Sequence, residues 1–97
     1  MPPRGGEISV VGARLINVSS HGMRIESLVP MEEGLRLQFR MLIAGEKTDV
    51  EARVACCSLL SSGRRRVYGV GLEFTSIPPA ASARLRELLT APRALSA

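Results

Sequence analysis

From residue 7 onward the chain alternates apolar and polar positions in a series of short runs. The clearest is LRLQFRMLI, residues 35–43. Leu35, Leu37, Phe39, Met41 and Ile43 fall on one face, with Arg36, Gln38 and Arg40 on the other. A period of two held over this length predicts a half-buried antiparallel strand. TDVEARVACCSLL repeats the pattern, with Val50, Ala52, Val54 and Cys56 facing in and Asp49, Glu51 and Arg53 facing out. That phase makes Cys56 a buried small hydrophobe and Cys57 a surface thiol. In VYGVGLEF, Tyr68, Val70, Leu72 and Phe74 share one face. Gly69 and Gly71 leave the other almost bare, open to another backbone or a flat ligand. Upstream, EISVVGARLIN reads as a strand in which Gly12 marks a bend or bulge. MRIESL alternates Met23 and Ile25 with Arg24 and Glu26.

After Pro78 and Pro79 the period changes. Ala81, Leu85, Leu88 and Leu89 form one stripe at helical spacing, the prolines suit a first helical turn, and Pro92 ends the run. Five or so antiparallel strands followed by one helix predict a mainly β fold, a small antiparallel β-barrel with a C-terminal α-helix. Residues 1–6 read as a loose lead-in, 7–91 as the domain and 92–97 as a tail.

Composition narrows the class. The 97 residues are 45% hydrophobic and 23% charged, which suits a single globular domain. No apolar run reaches membrane-spanning length, and no signal-peptide pattern opens the chain. Cys56 and Cys57 are adjacent, so they point to opposite faces of a strand and do not form a disulfide framework. A reducing, cytoplasmic setting fits best. The net charge is +4, and arginine supplies all the basic residues except Lys47. Arginine suits bidentate contact with phosphate and guanine edges, so an anionic partner is compatible with the composition.

Chemistry-bearing residues are few. His21 is the chain's one histidine and has no carboxylate close to it in sequence, so a hydrolytic triad is not supported. No His/Cys cluster has metal-ligand spacing, and no phosphate-cradling GxxxxGK[ST] loop is present. We therefore expect no enzyme, no catalytic residue, no metal and no cofactor. Arg64, Arg65 and Arg66 read first as a solvated hairpin loop and second as a phosphate-attracting rim.

The corner NVSSHG, residues 17–22, stands out between two apolar runs. Asn17 and Ser19 are two apart and project from the same face of an extended chain. Gly22 permits a positive φ at the turn into the next strand. Taken alone, the six residues are a turn capped by its own side chains.

The corner also fits the (D/N)xSxxG motif, and its setting extends the match. An apolar segment precedes it, MRIES follows it, and a long alternating strand, VEARVACC and YGVGLEFTSIPPAASARLRELL come after. Over residues 7–89 the chain resembles the PilZ domains, bacterial modules that bind the second messenger cyclic di-GMP. The resemblance implies a barrel with a closing helix, and cyclic di-GMP as candidate ligand. It also implies Asn17, Ser19 and Gly22 as residues that contact a guanine edge and shape the turn. Nucleotide-binding members usually carry an RxxxR motif upstream, whose arginines hold phosphates and guanine faces. Here Arg4 precedes the corner's strand, and the residue four further on is Ile8. Loss of two such contacts, at about 1.5–3 kcal/mol each, weakens binding by about two to four decades.

Arg4, Arg14 and the loop at residues 64–66 are the candidates to replace them in part. Arg14 lies an odd number of residues from Asn17, which sends it to the opposite face of a regular strand unless a bulge intervenes. The implied function is a regulatory domain acting through an effector protein. The alternative is a PilZ-like adaptor that has lost nucleotide binding and serves pilus, motility or virulence machinery. RNA or single-stranded DNA binding is disfavoured, because three aromatic residues offer no stacking surface. An exposed strand edge would admit a homodimer.

Overall fold

A computed structural model describes residues 8–61 and 63–90. Six strands, β1 (Ile8–Val10), β2 (Arg14–Val18), β3 (Gly22–Ser27), β4 (Arg36–Ile43), β5 (Glu46–Ser61) and β6 (Val67–Ser76), precede one helix, α1 (Pro79–Thr90). They form a single antiparallel sheet in the order β1-β4-β5-β6-β3-β2. The sheet curls until its edge strands meet at a bridge between Val10 and Ala13, which makes a nearly closed barrel. Gly12, at φ +82°, is the hinge of that closure. The run EISVVGARLIN is therefore two strands on opposite edges of the sheet, not one bent strand. The lead-in, Arg4 and Pro92 lie outside the described residues.

The core is aliphatic, as the near absence of aromatics requires. Met23, Ile25, Met41, Ile43, Val50, Ala52, Val54, Val70 and Leu72 are buried from the sheet, and Ala81 and Leu85 join them from α1. Burying a side chain such as Leu85 contributes roughly 1.5–3 kcal/mol, which is how the helical stripe holds α1 on the barrel. Leu88 and Leu89 pack against the same cluster, and Arg84 pairs with Glu46 at 3.0 Å. Ala44 and Gly45, both with positive φ, make the two-residue turn that joins β4 to β5.

The alternation read from the sequence is observed until the backbone breaks it. Leu35 precedes β4 and is exposed, not inward. In β5 the register against β6 shifts between Val54 and Cys56, with Ala55 as the extra residue. A bulge of this kind moves every later side chain to the other face. Cys56 is therefore exposed and Cys57 partly buried against the core, the reverse of the simple alternation. Nor is the glycine face of β6 bare. Arg24 and Leu60 lie over Gly69, and the Cys56 sulfur lies over Gly71.

Candidate functional site

The corner between β2 and β3 is built by its own polar groups. The Ser19 amide donates to the Gly22 carbonyl at 2.8 Å. The Ser19 hydroxyl accepts from the His21 amide at 3.2 Å and donates to the Gly22 carbonyl at 3.4 Å. Ser20 Oγ approaches His21 Nδ1 at 3.3 Å. The Phe74 amide donates to the His21 carbonyl at 2.9 Å, which ties the turn to β6. Ser19 thus acts first as the cap of this turn.

Gly22 serves a different purpose from the one its place in a turn suggests. Its φ is not positive. It is buried in β3, and a Cβ there would lie 2.0 Å from the Leu72 carbonyl oxygen. The position needs glycine because the β6 backbone passes where a side chain would stand.

A second bulge sets the orientation of Asn17. Along β2 and β3, Arg14 pairs with Glu26, Leu15 with Ile25, Asn17 with Arg24 and Val18 with Met23, so Ile16 is the extra residue. Leu15 and Val18 both face the core. Arg14 and Asn17 consequently share the outer face, the outcome that a bulge between them requires. Asn17 is exposed and its side-chain amide has no hydrogen-bond partner among the described residues. Its cross-strand neighbour Arg24 lays its guanidinium across Gly69 and donates to the Ser58 hydroxyl at 3.3 Å.

An open depression of about 370 Å³ joins these groups. Asn17, Ser19, His21, Gly22, Arg24 and Glu73 line it, with Gly71 and Leu72 beneath. Glu73 would oppose an anionic ligand, but Arg53 of β5 is ion-paired with it and offsets that charge. Arg14 does not reach the depression. It lines a separate groove beside Gly12 and sits 3.7 Å from Glu26.

Of the sequence-derived candidates, Asn17, Ser19 and Gly22 are brought together, Arg14 is on the same face but elsewhere, and Arg4 is outside the described residues. Arg24 is the functional candidate that sequence reading missed. Its signal was present: a tight turn after Val18 forces the pairs 18–23 and 17–24, which places Arg24 beside the motif asparagine. Among the described residues no group of three His, Cys, Asp or Glu side chains could hold a metal ion. No helix there is long and apolar enough to cross a membrane.

The profile of the PilZ domain family matches residues 3–91, nearly the whole chain. The chain belongs to the PilZ domain family. Membership places it among regulatory binding domains related to cyclic di-GMP, not among enzymes. The nearly closed antiparallel barrel and its C-terminal helix are thus those of a PilZ domain. No curated protein and no solved structure is matched by this chain.

Proposed function

We propose that this PilZ domain is a cyclic di-GMP-responsive regulatory module in which residues 17–24 form half of the nucleotide site. The observation that carries the reading is the outward pairing of Asn17 with Arg24 above the glycine strip of β6. Asn17 offers an unpaired amide, the group suited to hydrogen bonding at a purine edge. Arg24 offers the cation that faces the same depression, and a guanidinium can pair with phosphate or stack on a base. Ser19 and Gly22 hold these two in place rather than supplying most of the contact. With Ile8 four residues after Arg4 in place of a second arginine, the site formed by these residues works at reduced affinity, and its state passes to an effector protein.

One observation favours a second reading, an adaptor that acts through protein contacts alone. The sequence places Ile8 where a second arginine would follow Arg4. Isothermal titration of the full chain with cyclic di-GMP separates the two. The receptor reading expects saturable heat, weakened about tenfold by Asn17→Ala and at least as strongly by Arg24→Ala, as loss of roughly 1.5 kcal/mol implies. Arg64→Ala should leave it unchanged. Absence of heat at saturating nucleotide supports the adaptor, and an affinity untouched in the Asn17→Ala, Arg24→Ala double variant places the nucleotide elsewhere.

A further inference from the structure

The far arm of the β5–β6 hairpin carries an open strand edge. β4 pairs with β5 no further than Arg36 opposite Arg53. Beyond that point the chain before β4 makes one more exchange, Gly34 and Leu35 with Val54. From there to Ser61, β6 is the only strand paired with β5 among the described residues, with a register shift between Leu59 and Ser61, and the Met31 amide donates to the Cys57 sulfur at 3.5 Å on the core side of this arm. The direction of the free groups follows from the register. The Phe74 amide points to the β3 side, so Gly71 and Gly69 point to β5 and bond Cys56 and Ser58. Cys57 and Leu59 therefore direct their backbone groups away from β6, and neither has a backbone partner among the described residues.

Three further features mark this edge. Leu59 and Leu60 are each about half exposed, at 51% and 47%. The rung Ser27–Tyr68–Leu59 brings exposed Leu28 and Val29 to the same end of the barrel. Residues 54–63 contain no charged side chain, in a molecule of net charge +4. Exposed, apolar and neutral strand edges template pairing with another strand.

We propose that this edge pairs with the same edge of a second copy, antiparallel about a two-fold axis at Ser58, joining two barrels into one sheet. The proposal does not rest on the nucleotide reading, although Ser58 at the axis accepts a hydrogen bond from Arg24. The occupant follows from hydrogen bonding and charge. With the axis at Ser58, the edge-directed backbone groups of Cys57 in one copy meet those of Leu59 in the other, and the reverse, so both copies satisfy the same free groups. In this register Arg53 of one copy comes opposite residue 63 of the other, beside its Arg64, and the ion pair of Arg53 with Glu73 offsets that like charge. The corner at residues 17–22 lies across β6, towards β3, and remains open. The apolar area is modest, below the roughly 1,200 Å² of standard interfaces, so the dimer is reversible and concentration-dependent.

Sedimentation velocity of the full chain over a wide concentration range provides the test. The expected result is a monomer–dimer equilibrium that Leu59→Lys and Leu60→Lys shift to monomer without loss of the folded circular-dichroism spectrum. Register has its own test. In a Cys56→Ser, Cys57→Ala background, Ser58→Cys should form a disulfide dimer on mild oxidation. The paired Cα atoms of a non-hydrogen-bonded rung, about 4.5 Å apart, fall in the range that a disulfide spans. Gln38→Cys, exposed on β4, is the control. A strictly monomeric chain overturns the proposal in favour of a strand from another protein. A dimer insensitive to both lysine variants, or Ser58→Cys cross-linking no faster than Gln38→Cys, overturns it as well.

Discussion

At the corner of residues 17–22, polar groups close on one another and on β6: Ser19 caps the turn, His21 receives the Phe74 amide, and Gly22 lies against the Leu72 carbonyl. At the far arm of β5, the backbone groups of Cys57 and Leu59 that point away from β6 have no backbone partner among the described residues, and Leu59 and Leu60 are half exposed. Each region is shaped by β-bulges, at Ile16 in the first and at Ala55 and Leu60 in the second. The bulge at Ile16 turns Asn17 outward beside Arg24. That at Ala55 turns Cys56 outward and Cys57 inward. A bulge thus presents a side chain outward in both places, but the surrounding backbone is satisfied in the first and left without a strand partner in the second, where the neighbouring strand has ended.

The corner's rigidity breaks most readily at Gly22. A methyl group 2.0 Å from a backbone carbonyl cannot be accommodated without moving β3 from β6. Gly22→Ala is expected to cost about 3 kcal/mol or more, seen as a melting point lower by about 15 °C. Gly12 is the control: its φ of +82° meets open space. Gly12→Ala should cost only about 1 kcal/mol, from backbone strain alone. Equal losses at the two positions would remove the distinction between close approach and turn conformation.

Ser19→Ala sharpens the contrast between a capping and a contacting residue. Loss of the hydroxyl that links His21 and Gly22 should lower stability by about 1 kcal/mol in urea unfolding. Asn17→Ala, which removes an unpartnered exposed amide, should change stability by less than about 0.5 kcal/mol. The smallest effect concerns the bulge at Ala55. Under native conditions a thiol reagent should label Cys56 well before Cys57; the opposite order would restore unbroken alternation through β5.

Much of this was legible in the residues. Period two in the segment 35–43 and the helical stripe from Ala81 to Leu89 located β4 and α1, because side-chain alternation is fixed by backbone geometry. The (D/N)xSxxG corner was legible as a candidate site for the same reason that it is a tight turn: its residue types cap themselves. What alternation cannot carry is a bulge, since one added residue leaves composition unchanged while inverting the faces beyond it. Hence Cys56 and Cys57 exchange places. The glycines mislead in a related way. Gly22 looks like a turn glycine but is a packing glycine, and Gly12 looks like a strand bulge but separates two strands. Arg24 escaped because its role depends on register across the turn, not on any short motif.

Nuclear magnetic resonance of the isotope-labelled full chain, titrated with cyclic di-GMP, tests the central claim most directly. Amide shifts should concentrate at residues 17–24 and 69–73 and should be largely lost in Asn17→Ala. A spectrum unchanged at saturating nucleotide, or shifts confined to another surface, would contradict the assignment of the corner as the nucleotide half-site.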